Sequence, residues 1–171
     1  MTVASDPLPV GSTAPGFALR DQHGATVSLE ELRGTAVLLV FYPFAFSRVC
    51  GGELEALDGA LAALGTADGP SGSGGPASTV LAISCDPMHA LRAYADQAGL
   101  DVRLLSDFWP HGATAAAYGV LDPEIGAPHR SSFVIGPAGD VRWSLHVPRH
   151  ESRPVADQLA ALEQAGKAKT P

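Results

Sequence analysis

Residues 36–50 read AVLLVFYPFAFSRVC. Ala36 to Tyr42 are continuously apolar and rich in β-branched and aromatic side chains, which predicts a central strand covered on both faces. Pro43 to Ser47 break the run. Beyond them Leu54, Leu57, Leu61 and Leu64 recur at helical spacing with Gly65 placed as a stop, so a helix follows and Cys50 falls in its first turn. A buried strand feeding a helix is the opening unit of an α/β sheet. In such sheets reactive groups collect where the carboxyl ends of parallel strands meet helix N-termini.

On the amino-terminal side, FALRDQHGATVSL (17–29) reads as two short strands about a polar turn at Gly24, and Ser28 with Glu31 has capping-box spacing for one short helical turn ending before Gly34. On the carboxyl side, residues 65–78 form a Gly/Ser/Pro-rich connector expected to be a flexible surface loop. Its glycines are followed by no lysine and it precedes a strand, so it is no phosphate-binding loop. Thr79 to Ser84 is a second buried strand. Asp86 before Pro87 reads as an N-cap acceptor opening a helix that ends near Gly99. Arg103 to Leu105 is a short strand, and Pro110 to Tyr118 a short helix stopped by Gly119. Ser131 to Ile135 and Val141 to Val147 flank PAGD as an antiparallel hairpin. Pro154 opens a last helix, with residues 163–171 expected to fray. The sum is one domain over 1–171 with its core over about 10–162: a mixed central sheet with helices on both faces.

The chain has 171 residues, 46% of them hydrophobic and 17% charged, which fits a globular domain rather than disorder. No apolar run is long enough to span a bilayer. The first residues lack the basic and apolar segments of a secretory leader, so a cytoplasmic location is expected. A net charge of -7 without a basic cluster argues against a nucleic-acid or anionic-membrane partner.

Cys50 and Cys85 are the two cysteines, too few for a disulfide framework, and no CxxC is present. A lone Cys is either a small buried hydrophobe or a reactive thiol. A free thiol titrates near 8.5, and lowering it by about two units needs roughly 2.7 kcal/mol of preference for the anion. One helix start supplies about 0.3–1 kcal/mol, so further donors are required. The Ser47 hydroxyl, three residues earlier, and a guanidinium from elsewhere in the chain are the candidates. His146 and His150 are four apart, but Pro148 between them denies the helix that would bring both to a metal. His129 is read as a solvated loop residue or part of a pocket mouth. Phe108 and Trp109 are read as core packing or as an entrance or subunit contact.

Pro43, Ser47 and Cys50 form P-x-x-x-S-x-x-C, which resembles the active-site motif of the peroxiredoxins. The strand AVLLVFYPFAF, the segment LLSDFWPHGATAAAYGV (104–120) and the hairpin HRSSFVIGPAGDVRW (129–143) resemble family segments in the same order, so the likeness spans roughly Val10 to Leu162. In detail it is most similar to the actinobacterial alkyl hydroperoxide reductase E subgroup. The resemblance implies a thioredoxin-like fold with an N-terminal strand extension. It also implies a thiol peroxidase acting on hydrogen peroxide, organic hydroperoxides or peroxynitrite, without metal or organic cofactor. Carried over residue by residue, Cys50 corresponds to the peroxidatic cysteine. Pro43 shields it, Ser47 hydrogen-bonds thiolate and peroxide, Arg130 stabilises both, and Glu53 orients Arg130.

Cys85 matches no resolving position of the family, although neighbouring parallel strands would put it on the same sheet edge as Cys50. A one-cysteine cycle with an external thiol is therefore expected, with mycothiol and mycoredoxin, then thioredoxin, as implied reductants and a homodimer as the implied assembly. Gly51 stands where many family members have proline, and His129 where the subgroup usually has another residue. Three other readings stay open: a peroxide sensor or chaperone-like module without turnover, a two-cysteine cycle with Cys85 resolving, and a thiol–disulfide reductase.

Overall fold

The computed structural model describes residues 6–63 and 78–167. Leu64, the Gly65 stop and most of the Gly/Ser/Pro connector lie outside the described residues.

In chain order the elements are β1 (Ala18–Asp21), β2 (Thr26–Ser28), β3 (Ala36–Phe41), α1 (Arg48–Ala63), β4 (Ser78–Ser84), α2 (Met88–Ala98), β5 (Arg103–Ser106), α3 (Ala113–Ala117), β6 (Leu121–Asp122), β7 (Ala127–Pro128), β8 (Arg130–Ile135), β9 (Val141–Val147) and α4 (Val155–Lys167). Seven strands form one mixed sheet in the order β2-β1-β5-β4-β3-β8-β9. β3 pairs parallel with β4, in register Phe41↔Ile83, and antiparallel with β8, in register Phe41↔Ser131. The architecture is the mixed α/β sheet expected.

The apolar run of β3 alternates between two cores, as a strand's period of two requires. Leu38, Val40 and the following Tyr42 face Leu54, Leu57 and Leu61 of α1, Leu91 and Tyr94 of α2, and Leu162 of α4. Val37, Leu39 and Phe41 face Ala115 and Tyr118 at α3, Phe133 of β8 and the amino-terminal Phe17. Covered on both sides, β3 lies inside the sheet between β4 and β8, and its carboxyl end is where the chain must leave to start α1. No helix among the described residues is long and apolar enough to cross a membrane.

Several local expectations are corrected. The turn after β2 is a 3-10 turn, Glu30–Leu32, with Leu29 at its N-cap position and no side-chain cap bond, so the Ser28–Glu31 capping box does not form. The helix expected over 110–118 begins only at Ala113. Gly112 (φ 68) turns the chain, and buried Asp107 accepts the N–H groups of Thr114 and Ala115 at 3.1 and 2.9 Å, taking over the cap from a distance. The β6–β7 pair lies in a stretch where no strand was expected. α4 continues through Lys167, so the tail does not fray from residue 163: Ala165 is buried in the core and Lys167 pairs with Glu163 one turn back. Phe108 and Trp109 are 48% and 82% exposed, which overturns core packing for them.

Candidate active site

The site begins where the sheet stops. The Tyr42 N–H still reaches Ile83 O at 3.1 Å, but buried Pro43 has no N–H to donate, and the chain turns out of the ladder. Phe44 and Phe46 point outward, 44% and 51% exposed. Phe46 takes φ 63, a left-handed conformation uncommon for a bulky residue, with its ring packed 5.0 Å from that of Tyr94. Ser47 then caps α1. Its Oγ accepts the Cys50 N–H at 3.3 Å and its carbonyl accepts the Gly51 N–H at 2.8 Å. Accepting the Cys50 N–H uses the Ser47 oxygen and does not exclude donation by its hydroxyl hydrogen.

Cys50 sits on the buried face of α1 with Leu54, Leu57 and Leu61, and is 1% exposed. Its sulfur nevertheless has a cation against it. Arg130, the first residue of β8 and also 1% exposed, donates from Nη2 to Cys50 Sγ at 2.9 Å. The antiparallel pairing of β8 with β3 carries Arg130 to the sheet edge where α1 starts, which joins residues 80 apart in sequence. Arg130 is held on its other sides by Arg149 O, 2.8 Å from Nε, and by Glu53, which receives Nη1.

Glu53, one turn along α1 from Cys50, binds a second guanidinium that sequence reasoning did not single out. Arg153 donates to Glu53 from its backbone N–H at 2.5 Å, from Nε at 2.9 Å and from Nη2 at 3.0 Å. Its Nη1 reaches Phe41 O at 2.7 Å and Ser131 O at 3.0 Å, the carboxyl end of β3 and the start of β8. Burial opposes ionisation of Glu53, but the hydrogen bonds and charge of Arg153, with Arg130 behind them, outweigh it and hold the carboxyl below its usual range. An arginine in a loop before a proline reads as solvent-facing in SRP (152–154). Only the fold shows it 2% exposed.

Two buried guanidinium groups and one carboxylate leave this cluster with an excess positive charge, which an anionic sulfur would balance. Arg130 points its Nη2 donor at Sγ, an arrangement suited to an anion and to negative charge developing next to it.

Cys85 leaves the same sheet edge, on the strand beside β3, and both cysteines are free thiols. Its surroundings are of the opposite sign. Burial, then the carboxylates of Asp107 and Asp86, push its thiol up to about 12. Asp86 does not cap α2, whose N-cap is Pro87 without a side-chain bond. Its Oδ2 instead accepts the Ala45 N–H and the Ser84 hydroxyl, each at 2.8 Å.

On the outer side of the first turn of α1 a cleft of about 400 Å³ opens between α1 and α2, lined by Phe46, Ser47, Arg48, Gly51 and Tyr94 among others. His129 is exposed at the strand start next to Arg130. His146 pairs with the Ser131 hydroxyl at 2.9 Å, whereas His150 is solvated.

Comparison with known proteins agrees with this geometry. Alkyl hydroperoxide reductase E of Mycobacterium tuberculosis is 42% identical over 159 residues, covering 91% of this chain and 98% of that protein. A putative peroxiredoxin, bcp, of Haemophilus influenzae is 32% identical over 142 residues, covering 80% and 84%. Among solved structures, Enterococcus faecalis AhpC superposes with TM-score 0.78 at 25% identity, covering 95% of this chain and 98% of the other. Peroxidoxin BcpB from Mycobacterium tuberculosis gives 0.73 at 27%, covering 92% and 97%. The fold is therefore the thioredoxin-like one of the peroxiredoxins, and with residues 10–144 matching the family description AhpC/TSA, the chain belongs to that family.

Proposed function

We propose that this chain is a thiol-dependent peroxidase in which Cys50 is the nucleophile, a reading carried by the 2.9 Å contact between Arg130 and the Cys50 sulfur. The thiolate attacks the terminal oxygen of ROOH along the O–O axis. An S–O bond forms as the O–O bond breaks, sulfur is oxidised by two electrons to the sulfenic acid, and the departing RO⁻ takes up a proton as water or an alcohol. Arg130, the backbone N–H groups at the start of α1 and Ser47 stabilise charge on the departing oxygen, which a low thiol pKa alone would not do. Glu53 orients Arg130, and Pro43 ends the strand and shields the sulfur. With Cys50 1% exposed, entry of a peroxide requires the exposed Phe44–Ser47 loop to give way slightly.

An external thiol closes the cycle. It condenses with the sulfenic acid, releasing water and forming a mixed disulfide, and a second thiol then displaces the Cys50 thiolate. A small thiol such as mycothiol with mycoredoxin fits this reading, with thioredoxin next. Hydrogen peroxide, organic hydroperoxides and peroxynitrite are the substrates considered. The raised Cys85 thiol is a poor nucleophile for a resolving step. We read residues 1–171 as one domain, since seven strands drawn from Ala18 to Val147 share one sheet and α4 packs back on it. Exposed Phe108 and Trp109 support a homodimer, which a monomer mass in sedimentation would contradict. Two unpaired cysteines suit the cytoplasm, which fractionation can test.

The functional test is peroxide consumption with excess reductant. Many equivalents consumed per chain are expected. Consumption that stops at one equivalent would replace the peroxidase with a sensor.

A further inference from the structure

The loop between β3 and α1 has to hold an unfavourable shape. Phe46 sits at φ 63, a conformation that persists only where the surroundings enforce it. Phe44 and Phe46 are both about half-exposed, and the contact of the Phe46 ring with Tyr94 holds only one side of the turn. The middle of the loop is tied down by the Ala45 N–H, which donates to Asp86 Oδ2 at 2.8 Å across 41 residues of sequence.

Asp86 is itself fixed from several sides. The same Oδ2 accepts the Ser84 hydroxyl at 2.8 Å, the Asp86 N–H reaches Ser84 Oγ at 3.3 Å, and the Asp86 carbonyl accepts the Ser106 hydroxyl at 2.6 Å. The carboxyl ends of β4 and β5 thus hold one oxygen at a set place above the sheet. Two residues beyond Ala45 stands Ser47, which caps the Cys50 N–H, and Cys50 meets Arg130.

We propose that Asp86 is a positioning residue for Cys50: by fixing Ala45 it fixes the left-handed turn at Phe46, the Ser47 cap, and through them the sulfur against Arg130. The proposal rests on Cys50 being the oxidised group. What matters in it is the place of an acceptor oxygen rather than a negative charge, and this separates it from an electrostatic role.

Two conservative variants divide those roles. Asp86→Asn keeps an acceptor oxygen where Oδ2 stood and loses the charge. Asp86→Glu keeps the charge and moves the acceptor by one methylene. Oxidation by hydrogen peroxide is followed by rapid mixing with peptide mapping at Cys50, and the Ala45 amide by hydrogen exchange. Asp86→Asn is expected to oxidise within about threefold of wild type, and Asp86→Glu about tenfold slower or more, since an ångström of misplacement at a reacting group costs up to about 10²-fold. Ala45 should lose protection in Asp86→Glu while the β3–β4 ladder keeps its own. Rates in the reverse order would overturn the proposal, as would loss of protection across the whole ladder, which would make the role one of general stability. A wild-type chain that gains no oxygen at Cys50 would instead sink the peroxidase reading itself.

Discussion

Cys50 and Cys85 are the same functional group, buried at the same edge of the same sheet, on the exits of two adjacent parallel strands. They differ in what faces them. Cys50 starts a helix and has Arg130 at 2.9 Å, whereas Cys85 lies among Asp107 and Asp86 and is pushed up to about 12. Burial is common to both. The sign of the neighbouring charge, positive where β8 brings Arg130 beside β3 and negative where Asp86 and the end of β5 flank Cys85, divides the candidate nucleophile from a thiol held protonated.

The comparison breaks most severely at Arg130. Arg130→Met removes the cation and its donors from the sulfur, and by analogy with deletion of one oxyanion-hole donor it should slow peroxide oxidation by about 10²–10³-fold or more. Oxidation at the wild-type rate would show that the contact is structural only. Arg153→Met is expected to act first on stability. It strands Glu53 with one cation instead of two, and breaking a buried pair costs about 3–5 kcal/mol, to be read by denaturant titration. Glu53, held below its ordinary value by Arg153, contributes stability that is present above its unfolded value near 4.5 and lost as pH falls through the lower folded value. That loss on acidification should shrink in Arg153→Met. The mildest expectation concerns Cys85. Because its thiol is raised, its alkylation in the folded chain should stay slow at neutral pH and climb as pH approaches 12. A rate already level by pH 9 would erase the contrast.

The β3 run, the α1 leucines and the 131–147 hairpin were legible because each has one periodicity and one matching environment. The Pro43–Ser47–Cys50 spacing was legible because it is local. Arg130 and Glu53 were reachable through the family resemblance, and the structure brings Arg130 to Cys50 and Glu53 to Arg130. Arg153 was not, since its burial depends on a loop folding back under β3. Asp86 was misread for a related reason: beside Pro87 it looks like a helix cap, but a carboxylate bonds whichever donor the tertiary fold delivers, and here that is Ala45. Ser47 was assigned to the sulfur through the family resemblance, and its Oγ also accepts the Cys50 N–H, a cap that spacing alone did not single out. Asp107 likewise caps α3 from seven residues away, where capping rules do not look.

The most direct measurement is rapid-mixing oxidation by one equivalent of hydrogen peroxide with intact-mass detection, run on wild type, Cys50→Ser and Cys85→Ser. Wild type and Cys85→Ser should each gain one oxygen quickly, and Cys50→Ser should not. Fast oxygen uptake by Cys50→Ser, or a Cys50–Cys85 disulfide forming in wild type, would contradict the assignment of the chemistry to the sulfur beside Arg130 alone.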